Sequence, residues 1–130
     1  MAIEYIFQLC TPTPVGAIRG LLGPEEPTST GLRITVRPDG RASFVLVEPE
    51  ISVGFRLDKF TEPEPQYAEI AALVVRVLEA EPGDAVLQQD FERILLLRRG
   101  RELLVSPSFW APEVLPWEFT ERLMPYPEDY

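Results

Sequence analysis

Residues 51–84 read ISVGFRLDKFTEPEPQYAEIAALVVRVLEAEPGD, and within them the apolar period changes from two to about 3.6. Ile51, Val53, Phe55 and Leu57 alternate with Ser52, Gly54, Arg56 and Asp58, so the spacing predicts a half-buried strand over Ile51–Asp58. Ile70, Leu73, Val74, Val77 and Leu78 then recur at i, i+3, i+4, i+7 and i+8, the stripe of an amphipathic helix. Glu69, Arg76 and Glu79 lie off that stripe. Pro63 and Pro65 stand at the head of the helix, with Pro65 suited to its first turn, and Pro82-Gly83-Asp84 stops it.

Upstream, Ile3, Tyr5, Phe7 and Leu9 alternate with Glu4, Ile6 and Gln8, a second strand. Thr11-Pro12-Thr13-Pro14 breaks it. Thr13 is placed to cap a short helix with Pro14 at its first position, carrying Val15, Ile18, Leu21 and Leu22 on one side. Gly23-Pro24 ends that helix, and residues 25–31 have loop chemistry. Leu32, Ile34 and Val36 mark a further strand. Pro38-Asp39-Gly40 is a turn signal, and Arg41–Val47 is expected to pair back as a hairpin arm.

Downstream, three short strands fit Ala85–Gln89, Arg93–Arg98 and Glu102–Val105, the last two joined by a tight turn at Arg99-Gly100. The final 25 residues hold six of the chain's thirteen aromatics, among them Phe109, Trp110, Trp117 and Tyr126, together with five prolines. So many large rings predict a packed segment of irregular structure with a helical turn or two. The expected fold is a single α+β domain over residues 1–130: a mostly antiparallel sheet, two helices packed on one face, and an aromatic, proline-rich C-terminal segment.

Composition excludes much chemistry. The 130 residues contain no histidine, which removes His-dependent triads, His acid–base pairs and His-ligated metals. One cysteine, Cys10, leaves no internal disulfide and no Cys-based metal site, and it reads as a small apolar residue. Gly16 and Gly20 are not followed by a phosphate-loop lysine, and Asp84, Asp90 and Glu92 lack EF-hand spacing. Asp58-Lys59 and Glu48/Glu50 read as solvated ends and loop rather than as catalytic pairs. No catalytic residue, cofactor or metal is therefore expected. The absence of a basic leader and of a long apolar run points to the cytoplasm.

Charge gives more. Twelve basic residues stand against 21 acidic ones, for a net charge of −9, which disfavours nucleic acid and anionic membrane as partners. Nine acids fall between Asp58 and Glu92 against only Lys59 and Arg76, while Arg93–Arg101 holds four arginines and no acid. If the helix ends and strand turns share a side, this acidity makes a surface that steers a basic partner. The candidate partner-binding residues are Asp58, Glu62, Glu64, Glu79, Glu81, Asp84, Asp90 and Trp117. The alternative for the acids is an ordinary solvated face, and for Trp117 it is core.

Three pieces of the chain also carry a resemblance. Met1-Ala-Ile-Glu-Tyr5, residues 51–60 with their Arg-Leu-Asp-Lys-Phe end, and Gly83-Asp-Ala-Val-Leu87 with Ile94-Leu-Leu-Leu-Arg-Arg-Gly100 resemble the third class of Sit-type immunity proteins. These small bacterial proteins look like protective partners of contact-delivered swarm-inhibition toxins. The resemblance implies a non-enzymatic inhibitor that occludes a cognate protein toxin; separately, exposed strand edges would allow a homodimer, while nothing in the pattern demands more than a monomer. The alternatives are an interaction module with no toxin, and a carboxylate enzyme, which needs a concave pocket with converging acids.

Overall fold

The alternating segments become strands because each has one apolar face to bury, and all of them bury it under the same two helices. The structure, a computed structural model, describes residues 4–24, 26–38, 50–90 and 92–125. In chain order the elements are β1 (Glu4–Leu9), α1 (Val15–Leu22), β2 (Arg33–Pro38), β3 (Ile51–Arg56), α2 (Pro63–Ala80), β4 (Ala85–Gln89), β5 (Arg93–Arg99) and β6 (Glu102–Val105). A 3-10 turn (Pro112–Val114), β7 (Thr120–Glu121) and β8 (Met124–Pro125) follow. The sheet order is β2-β3-β1-β4-β5-β6-β7, with β8 also on β5. Every pairing is antiparallel except β6 with β7. This is the α+β fold expected, with a mostly antiparallel sheet.

Register decides which residues share an end of the molecule. On β1, Glu4 lies opposite Arg56 and Leu9 opposite Ile51, while Leu9 also lies opposite Ala85 and Tyr5 opposite Gln89. So β3 stops at one end of the sheet and β4 starts at the other. α2 runs back between them. Its 18 residues at about 1.5 Å each span about 27 Å.

The main core lies between the sheet and the helices. Tyr5, Phe7 and Leu9 of β1, Val53 and Phe55 of β3, and Ile70, Val74 and Val77 of α2 are all buried there with Ile18 of α1. The stripe read from the sequence is the buried face. A second apolar cluster, Val86, Ile94, Leu97, Leu104 and Met124, occupies the other side of the sheet. The C-terminal segment reaches both. Phe109 and Trp110 pack on the helical side, Trp110 donating from Nε1 to Leu95 O at 2.8 Å, and Met124 belongs to the second cluster.

Three boundaries differ from expectation. Thr13 does not cap α1; Pro14 holds that position in an extended conformation, and the Thr13 N–H instead donates to Thr11 Oγ1 at 3.0 Å. β3 ends at Arg56 rather than Asp58, because the Asp58 carboxylate turns the chain. The β5–β6 turn is Gly100-Arg101, one residue later than read, and places Gly100 at φ 58° where a side chain would be strained. The expected arm over Arg41–Val47 and the last aromatics, Tyr126 among them, lie outside the described residues. No helix among the described residues is long and apolar enough to cross a membrane.

Candidate functional site

At the N-terminal end of α2 the chain leaves β3 and must turn into the helix within six residues. Two side chains from the first turns of α2 organise that turn and its neighbour. Gln66 is fully buried. Its Oε1 accepts from Asp58 N at 2.8 Å, and its Nε2 donates to Asp58 O at 3.0 Å and to Glu62 O at 3.1 Å. Glu69, three residues on and on the same side of the helix, accepts through Oε1 from Thr28 Oγ1 at 2.5 Å and Thr30 Oγ1 at 2.6 Å. The 57–62 loop and the 28–31 loop are thereby tied to one helix.

Asp58 completes the turn. Its carboxylate accepts from Phe60 N at 2.9 Å and from Thr61 Oγ1 at 2.7 Å. The Phe60 N–H, then the Thr61 hydroxyl, hold the Asp58 carboxyl below the usual carboxylate range. The two loops touch at Gly31, where an added Cβ would stand 3.1 Å from the Asp58 Cβ, and where φ is 93°. Gly31 therefore meets both a close approach and a left-handed backbone.

This locked turn presents Lys59 and Phe60 to solvent. Phe60 is 87% exposed, and the Lys59 ammonium stands 5.2 Å from its ring centroid. Glu62 and Glu64 are exposed beside it. Next to the turn opens a cleft of about 300 Å³ lined by Pro27, Gly31, Arg33, Arg56, Leu57 and Asp58. Below these loops, Tyr5, Tyr67, Phe109 and Trp110 form a ring cluster, with Phe109 and Trp110 edge to face at 4.8 Å. Burial, then the neighbouring Tyr67, raises the Tyr5 phenol well above its ordinary value.

The C-terminal end of α2 is built differently. Arg98 reaches from β5 and donates to Leu78 O at 3.0 Å and Gly83 O at 2.7 Å, and also to Glu81 O. Burial pulls this guanidinium below its usual range, opposed by the charge of Asp84. The Asp84 carboxylate accepts from Gly100 N at 2.8 Å. The Glu81 carboxylate accepts from Thr11 Oγ1 at 2.5 Å, and this hydroxyl, then Thr13, holds it below the carboxylate range. Gly83 stands so close to β1 that an added Cβ would lie 1.8 Å from Cys10 O.

The acids read as one stretch are thus divided. Asp58, Glu62 and Glu64 lie at the N-terminal end of α2, and Glu79, Glu81 and Asp84 about 27 Å away at the other. Asp90 joins the first end, where its Oδ1 accepts from Glu4 N at 3.0 Å and its N–H donates to Glu4 O. The carboxylates of Glu81, Asp84 and Asp90 are engaged in holding the chain, whereas those of Glu62, Glu64 and Glu79 make no hydrogen bond or ion pair among the described residues. Trp117 is half-buried and packs against the main core.

Sequence reasoning passed over Gln66, Phe60 and the pairing of Arg33 with Arg56. A signal existed for Gln66: it stands four residues before Ile70, on the apolar stripe, where a polar side chain must find internal partners. A family model described as SitI3-like matches residues 3–114 of the chain. That span contains both ends of α2 and all the strands through β6, and stops short of Trp117. No curated protein and no solved structure matches the chain.

Proposed function

The chain belongs to the SitI3-like family, and from that premise we propose that it is a non-catalytic immunity protein that binds a cognate toxin in the cytoplasm and covers its working surface. The observation that carries this reading is the family match across 112 residues, which encloses the locked turn at the start of α2. A preorganised surface is what an inhibitor needs, because less ordering entropy is lost on binding. Glu62 and Glu64, exposed and unengaged, supply the acidic rim toward a basic toxin face.

Neither of the two carboxyls with a shifted value has the character of a general acid. Asp58 and Glu81 are both shifted downward, so each is ionised at neutral pH, whereas a general acid needs a raised value. The test is co-expression with the product of the neighbouring reading frame, which this reading predicts to be the toxin. Wild type is expected to restore growth and to form a one-to-one complex. Paired reversal, Glu62→Lys with Glu64→Lys, is expected to slow association about tenfold at low salt and to flatten its salt dependence. Rescue and salt dependence unchanged by the reversal would remove the acidic rim from the reading. Failure of wild type to bind the toxin would remove the reading itself.

A further inference from the structure

Arg33 and Arg56 are direct register partners across β2 and β3, on the sheet face turned away from the helices. Both side chains are exposed, and neither guanidinium makes a hydrogen bond or ion pair among the described residues. Like charges directly opposite on neighbouring strands repel. No carboxylate among the described residues closes an ion pair with either guanidinium. Asp58 is turned to Phe60 N and Thr61 Oγ1, and Glu4, opposite Arg56 on β1, forms no ion pair with it. Among the described residues this is an arginine pair without an ion-paired carboxylate.

The same two arginines line the cleft beside the locked turn and a second hollow of about 210 Å³ with Glu4, Thr35, Gly54 and Phe55. The second hollow exists because residue 54 is glycine; a Cβ there would meet Thr35 Oγ1 at 2.8 Å. Phe60 projects from the loop that forms the cleft's other wall, held by Asp58 and, through Asp58, by Gln66. An exposed aromatic on a hydrogen-bonded turn, next to guanidinium groups without partners among the described residues, combines residue types that anchor protein interfaces.

We propose that the platform made by residues 28–33 and 56–61 is the toxin-docking surface, with Phe60 filling an apolar pocket of the toxin and Arg33 and Arg56 together receiving a toxin carboxylate. This rests on the immunity reading and changes its electrostatics. The toxin face it fits is mixed: basic where it meets Glu62 and Glu64, acidic where it meets the arginine pair.

The experiment is titration calorimetry of the purified toxin from the adjoining gene against three forms of this protein: wild type, Phe60→Ala, and Arg33→Glu with Arg56→Glu. Each variant is expected to bind about 30-fold or more weakly than wild type, the scale of an interface hot spot. The arginine reversal makes the protein more acidic, so a purely acidic interface predicts equal or tighter binding, the opposite outcome. Thermal melts confirm that both exposed variants remain folded. Either variant binding with wild-type affinity overturns the platform while leaving the immunity reading in place. No complex with wild type overturns both.

Discussion

The two ends of α2 are each closed by one side chain that gathers backbone groups, and they do so with opposite consequences. At the C-terminal end the closing group is a cation. Arg98 collects the carbonyls of Leu78, Glu81 and Gly83, and the acids around it bind Thr11 and Gly100. Arg98, Glu81 and Asp84 are turned toward the fold there, and of Glu79, Glu81 and Asp84 only Glu79 stays exposed without a partner among the described residues. At the N-terminal end the closing group is the neutral amide of Gln66, which donates and accepts at once and satisfies both sides of Asp58. The charges around it, Glu62, Glu64, Arg33 and Arg56, are left facing water. The neutral closure leaves the side chains of Arg33, Arg56, Glu62 and Glu64 outside the hydrogen bonds of the turn, whereas the guanidinium of Arg98 is itself consumed in closing the other end.

The largest expected effect tests the closed end. Gly83→Ala places a Cβ against the Cys10 carbonyl, a backbone atom that cannot rotate away. Overpacking against fixed backbone costs about 3 kcal/mol or more, and the shift should register as a lower urea midpoint. A loss under about 1 kcal/mol would mean that the contact between β1 and the start of β4 yields easily, and that this end is less rigid than the other.

Gln66→Leu comes next and tests the open end. The change keeps the volume but strands Asp58 N, Asp58 O and Glu62 O, which are Gln66 partners in the native turn. A loss of about 2 kcal/mol is expected, less than full burial would give because water can reach part of the loop. Hydrogen exchange at the Asp58 amide should quicken in the variant. Unchanged exchange would show that Asp58 and Thr61 hold the turn without the glutamine.

Thr11→Val removes the hydroxyl that lowers the Glu81 carboxyl, and should cost about 1 kcal/mol near neutral pH. The sign with pH follows from the direction of the shift. A carboxyl held below its unfolded value stabilises the fold above the ordinary glutamate range, and that contribution is lost as pH falls through the lowered value. Urea titrations at neutral and strongly acid pH should therefore show the gap between wild type and Thr11→Val closing on acidification. A gap independent of pH would assign the effect to the Thr11–Thr13 turn instead.

Most of the architecture was legible because local periodicity and burial agree. The alternation at Ile51–Phe55 and the stripe from Ile70 to Leu78 are both inside the core, so pattern and position coincide. The site was less legible because it depends on register. Nothing local says that Arg33 and Arg56 are opposite each other, since 22 residues of chain lie between them and only strand pairing joins them. The acidic stretch misled for a related reason. Counting along the chain treats Glu62 and Glu81 as neighbours in one patch, while the straight helix between them sets them about 27 Å apart. Thr13 failed as a cap because the helix begins one residue later, leaving Pro14 at the capping position, and the Thr13 hydroxyl is directed to the Glu81 carboxylate.

The smallest effects belong to the exposed groups at the open end, and their smallness is informative. Phe60→Ala deletes a ring that is 87% exposed, so its effect on stability should stay within about 0.5 kcal/mol. Arg33→Thr should raise stability by a few tenths of a kcal/mol, because it removes one of two like charges facing each other across β2 and β3. That gain should shrink with added salt, which screens exposed charges. A gain that persists at high salt would point to the better strand propensity of threonine rather than to relief of repulsion. If instead Arg33→Thr is destabilising, the arginine has a partner within the fold and the contrast between the two helix ends fails. A neutral Phe60→Ala beside a stabilising Arg33→Thr would place both residues outside the work of folding, which is the condition under which their loss can be read as a loss of binding.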